Sequence, residues 1–322
     1  MTNDRKTTKY TTRDHPPYTL VLGGGGARGM AHVGVLRVLE DAGLQPSYIV
    51  GTSIGSVIGG MYAQRPDADE VHHRLTTFLQ GEFYRNVGLS MFYETRKSGL
   101  FDQLEAWVNE VRKRLLIGKV MLTPGAFARD LLEQALGHLL DDTSITETVI
   151  PFATIACDLV HGTVEIIRDG SIITAACASS AIPGVVEPVK YDGKLLVDGG
   201  TTSMTPVWEA KELAPYPVVA VTIARAFNSN TAPTRGIEVM LRAGDLASMH
   251  LNRRSLLSAE IVIAPDVGNV HWSEFHRSEE MIQAGQIAAR DAVPAIKELL
   301  KSGERKTSRW WKSRKRSSIK RR

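Results

Sequence analysis

Short apolar runs broken by glycine alternate along this chain with longer stretches of helical period. The first run, Tyr18-Thr19-Leu20-Val21-Leu22, stops at Gly23-Gly24-Gly25-Gly26, the pattern of a buried strand entering a glycine turn. Met30, Val33, Leu36, Val38 and Leu39 then recur at helical spacing until Gly43, which predicts a helix closed by a glycine cap. Tyr48-Ile49-Val50 predicts a second strand, followed by Gly51-Thr52-Ser53-Ile54-Gly55 and a helix of small residues through Ala63. A β-α-β-α start implies parallel strands joined by right-handed crossovers.

The same reading places further strands at 150–157, 163–167, 194–197, 217–223 and 260–264. It places helices near 100–116, 128–139, 171–180, 236–257 and 278–301, the last opened by Ser278 with Glu279 and Glu280 as an N-terminal capping signature. The fold class is therefore α/β, a three-layer sandwich with a mainly parallel central sheet and helices on both faces. Its 322 residues would suit one large domain or two small ones, and the element order is read as one. Ala42 to Gln64 carries no charge, but Pro46 and five glycines make it a strand, turn and helix rather than a membrane span.

Charge divides the chain further. The formal net charge is +4, yet residues 305–322 hold ten Lys/Arg and no acid, so the remainder has 29 basic against 35 acidic residues, a net of −6. This sets a polar arm (1–17) and a basic tail (303–322), expected to be disordered, apart from a body (18–302). Trp310 and Trp311 among the tail's basic residues suit an anionic membrane surface, with nucleic acid as the weaker alternative for the same charges. The first twenty residues lack an apolar signal core, and two cysteines, Cys157 and Cys177, fit a reducing compartment and read as buried. The expected location is cytoplasmic, peripheral at the inner face of a membrane if the tail docks there. Nothing in the sequence fixes an oligomeric state.

Three motifs carry chemistry. Gly24-Gly25-Gly26-Ala27-Arg28-Gly29 fits G-x-G-x-x-G between a strand and a helix, where consecutive backbone N–H groups make an anion site for a phosphate or a developing oxyanion. A dinucleotide site also wants an acid after the second strand, where this chain has Val50-Gly51-Thr52-Ser53, and a P-loop wants Lys-Ser/Thr where it has Met30-Ala31. Gly51-Thr52-Ser53-Ile54-Gly55 is G-x-S-x-G between a strand and a helix, the context of a nucleophile elbow. Asp198-Gly199-Gly200 ends the strand Leu195-Leu196-Val197, where an aspartate on a glycine turn can approach a serine and take its proton.

Together these motifs resemble the patatin-like phospholipase family, with a glycine-rich loop before a G-x-S-x-G elbow and a D-G-[AG] aspartate much later. Ala178-Ser179-Ser180-Ala181-Ile182-Pro183-Gly184 resembles a further family block, and Asp266-Val267 with Phe275-His276-Arg277 is similar to bacterial members. The likeness spans about residues 18–300. It implies lipid ester hydrolysis, of phospholipase A or lysophospholipase type, with no metal and no cofactor. It also implies Ser53 as nucleophile and Asp198 as base, an oxyanion hole in the loop Gly24 to Gly29 with Gly25, Gly26 and Ala27 as N–H donors, and Arg28 shaping that loop.

An aspartate of ordinary pKa near 3.9 is a feeble base for a serine hydroxyl, so burial must raise it or the oxyanion donors must carry much of the catalysis. A triad remains open, because His250, His271 and His276 all follow Asp198. His32 reads as a packing residue behind the loop, Asp158 as a turn-stabilising acid, and His72-His73 as surface residues rather than metal ligands. Seven of the 21 aromatics, Phe78, Phe83, Tyr84, Phe92, Tyr93, Phe101 and Trp107, could line an acyl-chain cleft or only pack the segment onto the body. The competing function classes are a non-catalytic, membrane-associated or regulatory binding protein on the same fold and a dinucleotide-binding oxidoreductase.

Overall fold

A computed structural model describes residues 15–86, 123–224, 232–234 and 236–319. The expected helix near 100–116, with Phe92, Tyr93, Phe101 and Trp107, lies outside the described residues.

The strands are β1 (Thr19–Leu22), β2 (Tyr48–Thr52), β3 (Gly125–Phe127), β4 (Phe152–Asp158), β5 (Thr163–Ile167), β6 (Gly184–Val186), β7 (Val189–Tyr191), β8 (Lys194–Asp198), β9 (Val218–Val221) and β10 (Ile261–Ile263). The helices are α1 (Ala31–Asp41), α2 (Ile54–Gln64), α3 (Ala68–Gln80), α4 (Glu82–Asn86), α5 (Arg129–Gly137), α6 (Ile172–Ser180), α7 (Val207–Leu213), α8 (Gly236–Leu256) and α9 (Ser278–Ile319). The main sheet runs β10-β9-β1-β2-β4-β8-β7, with β5 also on β4, and β3 pairs β6 separately.

The parallel expectation holds from β10 to β4, where every pairing is parallel. Beyond β4 the sheet turns antiparallel, since β5 and β8 pair β4, and β7 pairs β8, in that sense. That reversal brings the end of β8 back toward β2. Asp198 lies opposite Ala156, one position beyond the Thr52–Ile155 pair.

Alternation along the central strands builds the two outer layers, because successive side chains leave a strand on opposite faces. Leu20, Leu22, Ile49 and Phe152 belong to the larger core with residues of α1, α2, α3, α6 and α9. Val21, Val50, Ile155, Val218 and Ala220 form the smaller core with Val207 and Ala210 of α7. Each fully buried side chain of this kind contributes about 1.5–3 kcal/mol relative to exposure. Helix α1 packs on α9 through glycine: a Cβ on Gly34 would stand 2.0 Å from the Ile282 oxygen, and one on Gly285 2.0 Å from the Ala31 oxygen. Helix α9 continues to Ile319, so no element ends at residue 302, where the sequence reading separates body from tail.

Candidate active site

The C-terminal edges of β1, β2 and β8 converge here. Ser53 follows β2 directly with φ 53° and ψ −125°, a conformation rare for a non-glycine residue and costing about 1–3 kcal/mol. Its surroundings hold that turn in place. The Ser53 N–H donates to Ser179 Oγ at 2.9 Å, and Ser179 Oγ donates to the Ile155 oxygen at 2.6 Å. The Ser53 carbonyl accepts from Ser56 N–H at 2.8 Å and Ser56 Oγ at 2.6 Å. Gly55 lets the elbow lie against β1, since a Cβ there would be 2.1 Å from the Leu22 oxygen. Thr52 Oγ1 donates to the Ser203 carbonyl at 2.9 Å, and Ser203 Oγ donates to buried Glu209 at 2.9 Å.

The Asp198 carboxylate accepts the Gly200 N–H at 2.7 Å, and the nearby Ser53 hydroxyl favours its charged form. Both residues are buried, Ser53 8% and Asp198 7% exposed. Burial pushes the Asp198 carboxyl up to about 6, against the Gly200 N–H and the nearby Ser53 hydroxyl, which favour its charged form. Gly199 must be small, because a Cβ would stand 2.3 Å from the Ile155 oxygen of the neighbouring strand. The Asp198 N–H donates to the Ala181 carbonyl at 2.9 Å. The segment 178–184 therefore touches both members of the pair, Ser53 through Ser179 and Asp198 through Ala181.

The glycine-rich loop lies beside them, a Cβ on Gly24 reaching 3.3 Å from Ser53 Cβ and one on Gly29 meeting Ile54 at 2.3 Å. Gly26 has φ 61°, and a Cβ there would be 2.3 Å from the Trp272 oxygen, so this position requires glycine on both counts. Arg28 Nε donates to the Gly25 oxygen at 3.0 Å and braces the turn. One expectation is corrected: Ala27 N–H donates to the Trp272 oxygen at 2.7 Å, so it is engaged and points away from an oxyanion role. The Gly24 N–H is likewise held by the Met204 oxygen at 2.8 Å. Among the described residues no backbone hydrogen bond engages the N–H of Gly25 or Gly26, which begin the 3-10 turn Gly26–Met30, where the first N–H groups lack intrahelical acceptors.

His32 is buried behind this loop, its Nε2 2.7 Å from the Gly23 oxygen. Burial lowers its pKa to about 4, so the ring is neutral and Nε2–H donates to that carbonyl. Among the described residues the groups that oppose the raised Asp198 pKa are Ser53 and Gly200, neither a histidine. His250 is exposed on α8, and His271 Nδ1 lies 2.7 Å from Ser273 Oγ. Asp158 sits in the turn after β4, accepting from Val160 N–H at 2.9 Å and pairing with His161 Nδ1 at 2.5 Å. His72 pairs with Glu279 at 2.9 Å, so it links α3 to α9 rather than only facing solvent. Cys157 and Cys177 are buried free thiols. Phe78 packs edge-on to Tyr84 and beside Phe83, whose ring meets His138 at 4.9 Å.

The sequence reading missed Ser179 as an anchor of the nucleophile and the Thr52–Ser203–Glu209 chain beneath the elbow. Ser179 was visible only as part of a family-like block, because its contact crosses 126 positions. Nothing local in the sequence marks the other chain.

The family model described as patatin-like phospholipase matches residues 20–211. The chain belongs to the patatin-like phospholipase family. An uncharacterized NTE family protein of Mycobacterium tuberculosis is 28% identical over 311 residues, covering 88% of this chain and 47% of the relative. Patatin-like phospholipase domain-containing protein 6 of Mus musculus is 30% identical over 206 residues, covering 63% of this chain and 13% of the relative. The chain thus spans about half the length of the curated mycobacterial relatives it matches. Among solved structures, VipD from Legionella pneumophila aligns over 87% of this chain and 67% of its own, with TM-score 0.47 and 12% identity.

Proposed function

We propose that this protein is a serine acyl hydrolase that cleaves ester bonds of phospholipids or lysophospholipids through a Ser53–Asp198 dyad. The observation that carries the proposal is a serine on a strained elbow beside a buried aspartate whose pKa is raised to about 6. A base poised near the working pH can accept a hydroxyl proton that an ordinary carboxylate would leave in place.

In the proposed reaction Asp198 takes the Ser53 proton as Oγ attacks the ester carbonyl. The developing oxyanion is received by the N–H groups of Gly25 and Gly26, and single donors of this kind are worth about 2.7–4 kcal/mol elsewhere. Collapse breaks the ester bond, and Asp198 returns the proton to the departing alcohol, leaving acyl-Ser53. Water then attacks the acyl group as Asp198 accepts its proton, and collapse releases the fatty acid while Asp198 returns that proton to Ser53 Oγ.

Incubating the purified chain with a panel of phospholipids, lysophospholipids and neutral esters, with mass spectrometry of the products, tests the substrate class and the position cleaved. A serine-directed fluorophosphonate should label the native chain and not Ser53→Ala. Absence of labelling in folded native protein would favour a non-catalytic binding protein. For residues 305–322 we propose an anionic bilayer as partner, each engaged Lys/Arg contributing about 1 kcal/mol. Binding of the full chain to anionic vesicles should fall steeply with salt. Binding indifferent to salt, or restricted to nucleic acid, would remove that role. Among the described residues no helix is long and apolar enough to cross a membrane.

A further inference from the structure

Two elements overshoot the sheet edge that carries Ser53, and both end in exposed apolar side chains. Helix α8 is fixed to the body through its later turns: Ser248 Oγ donates to the Gly200 oxygen at 2.8 Å, and Ser255 Oγ to the Thr205 oxygen at 3.0 Å. Its C-terminus leads to the start of β10, which runs parallel to β9, so its N-terminal half lies toward the Ser53 end of the sheet. At 1.5 Å per residue, Met240 lies about 12 Å along the helix axis beyond Ser248. Val239, Met240 and Leu241 are 51%, 72% and 63% exposed. Three consecutive residues stepping by about 100° span about 200° of the helix circumference, so the exposed apolar side chains occupy more than one face of this turn.

The second element is the β4–β5 turn. Asp198 pairs at the level of Ala156, and β4 continues to Asp158, about 7 Å farther at the rise of a strand. Leu159 and Val160 stand in the turn beyond it, 56% and 63% exposed. Contiguous exposed apolar groups of this kind mark an interaction surface.

We infer that the N-terminal half of α8 and the β4–β5 turn form a docking rim that inserts into the surface of a phospholipid bilayer and turns the Ser53 edge toward it. The inference rests on the ester-lipid reading, which places the substrate in a bilayer and gives a reason for apolar tips to surround this edge. The charges on the arm, Glu238, Arg242 and Asp245, are of mixed sign, so the rim engages lipid by apolar insertion and does not need an anionic headgroup. It is thereby distinct from the basic tail.

Full-length protein and the variants Met240→Asp/Leu241→Asp and Leu159→Asp/Val160→Asp would be sedimented with phosphatidylcholine vesicles. About 0.5 M salt shortens the screening length to about 4 Å and silences the tail. The same proteins would be assayed on a water-soluble, monomeric short-chain ester. Each variant should lose at least about tenfold in vesicle partition while soluble-ester turnover stays within about twofold. Undiminished partition in either folded variant would overturn the rim as drawn. Undiminished partition with a shift from dimer to monomer in sedimentation would assign the face to a second copy of the chain, which also overturns it. If native protein hydrolyses neither ester yet the variants still lose vesicle binding, the hydrolase reading fails and the rim stands.

Discussion

Asp158 and Asp198 sit at opposite ends of one β4–β8 ladder, and their environments drive their carboxyls apart. Both are withheld from solvent. Burial alone would raise each. At Asp158 the His161 ring and the N–H groups of Val160 and Leu195 overcome it and bring the pKa down to about 2. That carboxyl is covered by its own surface turn rather than by the bulk of the protein. At Asp198, among the described residues, only Ser53 and Gly200 oppose a deeper burial, and the pKa rises to about 6. The lesson is that a buried aspartate becomes a usable base by being short of donors. Asp158 is saturated and holds its turn, whereas Asp198, with few donors, keeps a raised pKa beside Ser53.

The sharpest way to break this contrast is substitution at each end. Ser53→Ala and Asp198→Asn should each lower ester turnover by roughly 10³-fold or more, and the double variant should be little worse, since both act in one proton transfer. Asp158→Asn should leave turnover near the native value. His250, His271 and His276, replaced singly, should cost far less than Ser53→Ala. A loss at one of them equal to that of Ser53→Ala would establish a triad and end the argument from scarce donors.

A pH profile sharpens the same point. If ionised Asp198 is the base, kcat on a soluble ester should rise with a midpoint near pH 6, about two units above an ordinary aspartate. Asp158→Asn should not move this limb. A limb centred near pH 4 would mean that burial does not tune Asp198, and the contrast with Asp158 would fail in its chemical half.

Stability tests the cost of keeping such a base. Between about pH 4 and pH 6 folded Asp198 holds a proton that the unfolded chain releases, so its contribution to stability falls as pH rises through that window. Above pH 6 its ionisation costs the fold on the order of 3 kcal/mol. Asp198→Asn should therefore raise the denaturation midpoint at about pH 7.5 and lose that advantage near about pH 4, opposite in sign to its effect on turnover. A variant destabilised at both pH values would show that the carboxylate is well solvated in the fold.

How far the sequence disclosed these parts follows from how local each signal is. The β1–glycine loop and the β2–elbow unit were legible because short apolar runs ending in glycine announce a strand and its turn within a few residues. The direction of β8 was not legible, because alternation along a strand does not encode which way it pairs, and it is that direction that returns Asp198 to Ser53. Three-residue strands such as Gly125–Phe127 and Gly184–Val186 carry too few positions for a period and exist by pairing with each other. The loss of Ala27 as an oxyanion donor depends on Trp272, far along the chain. Motif spacing marked Ser53 and Asp198 as the candidates, and tertiary contacts decide which loop N–H groups are engaged by other backbone.

The smallest effect probes the saturated aspartate. A carboxyl held near pKa 2 in the fold stabilises it at all pH values above the unfolded pKa near 4, and that contribution disappears as pH falls toward 2. At neutral pH Asp158→Asn keeps one oxygen for Val160 or Leu195 but gives up the charge that pairs with His161, so the turn loosens without leaving a hole. A drop of roughly 2 °C in melting temperature is expected, the scale of losing about one net hydrogen bond in a chain of this size. His161→Ala should produce a similar drop, and the double variant should add little because both remove the same pair. If each single variant also lowered soluble-ester turnover as much as it lowered stability, Asp158 would be coupled to Ser53 through β4. The two ends of the ladder would then be one functional unit rather than a held turn and a base.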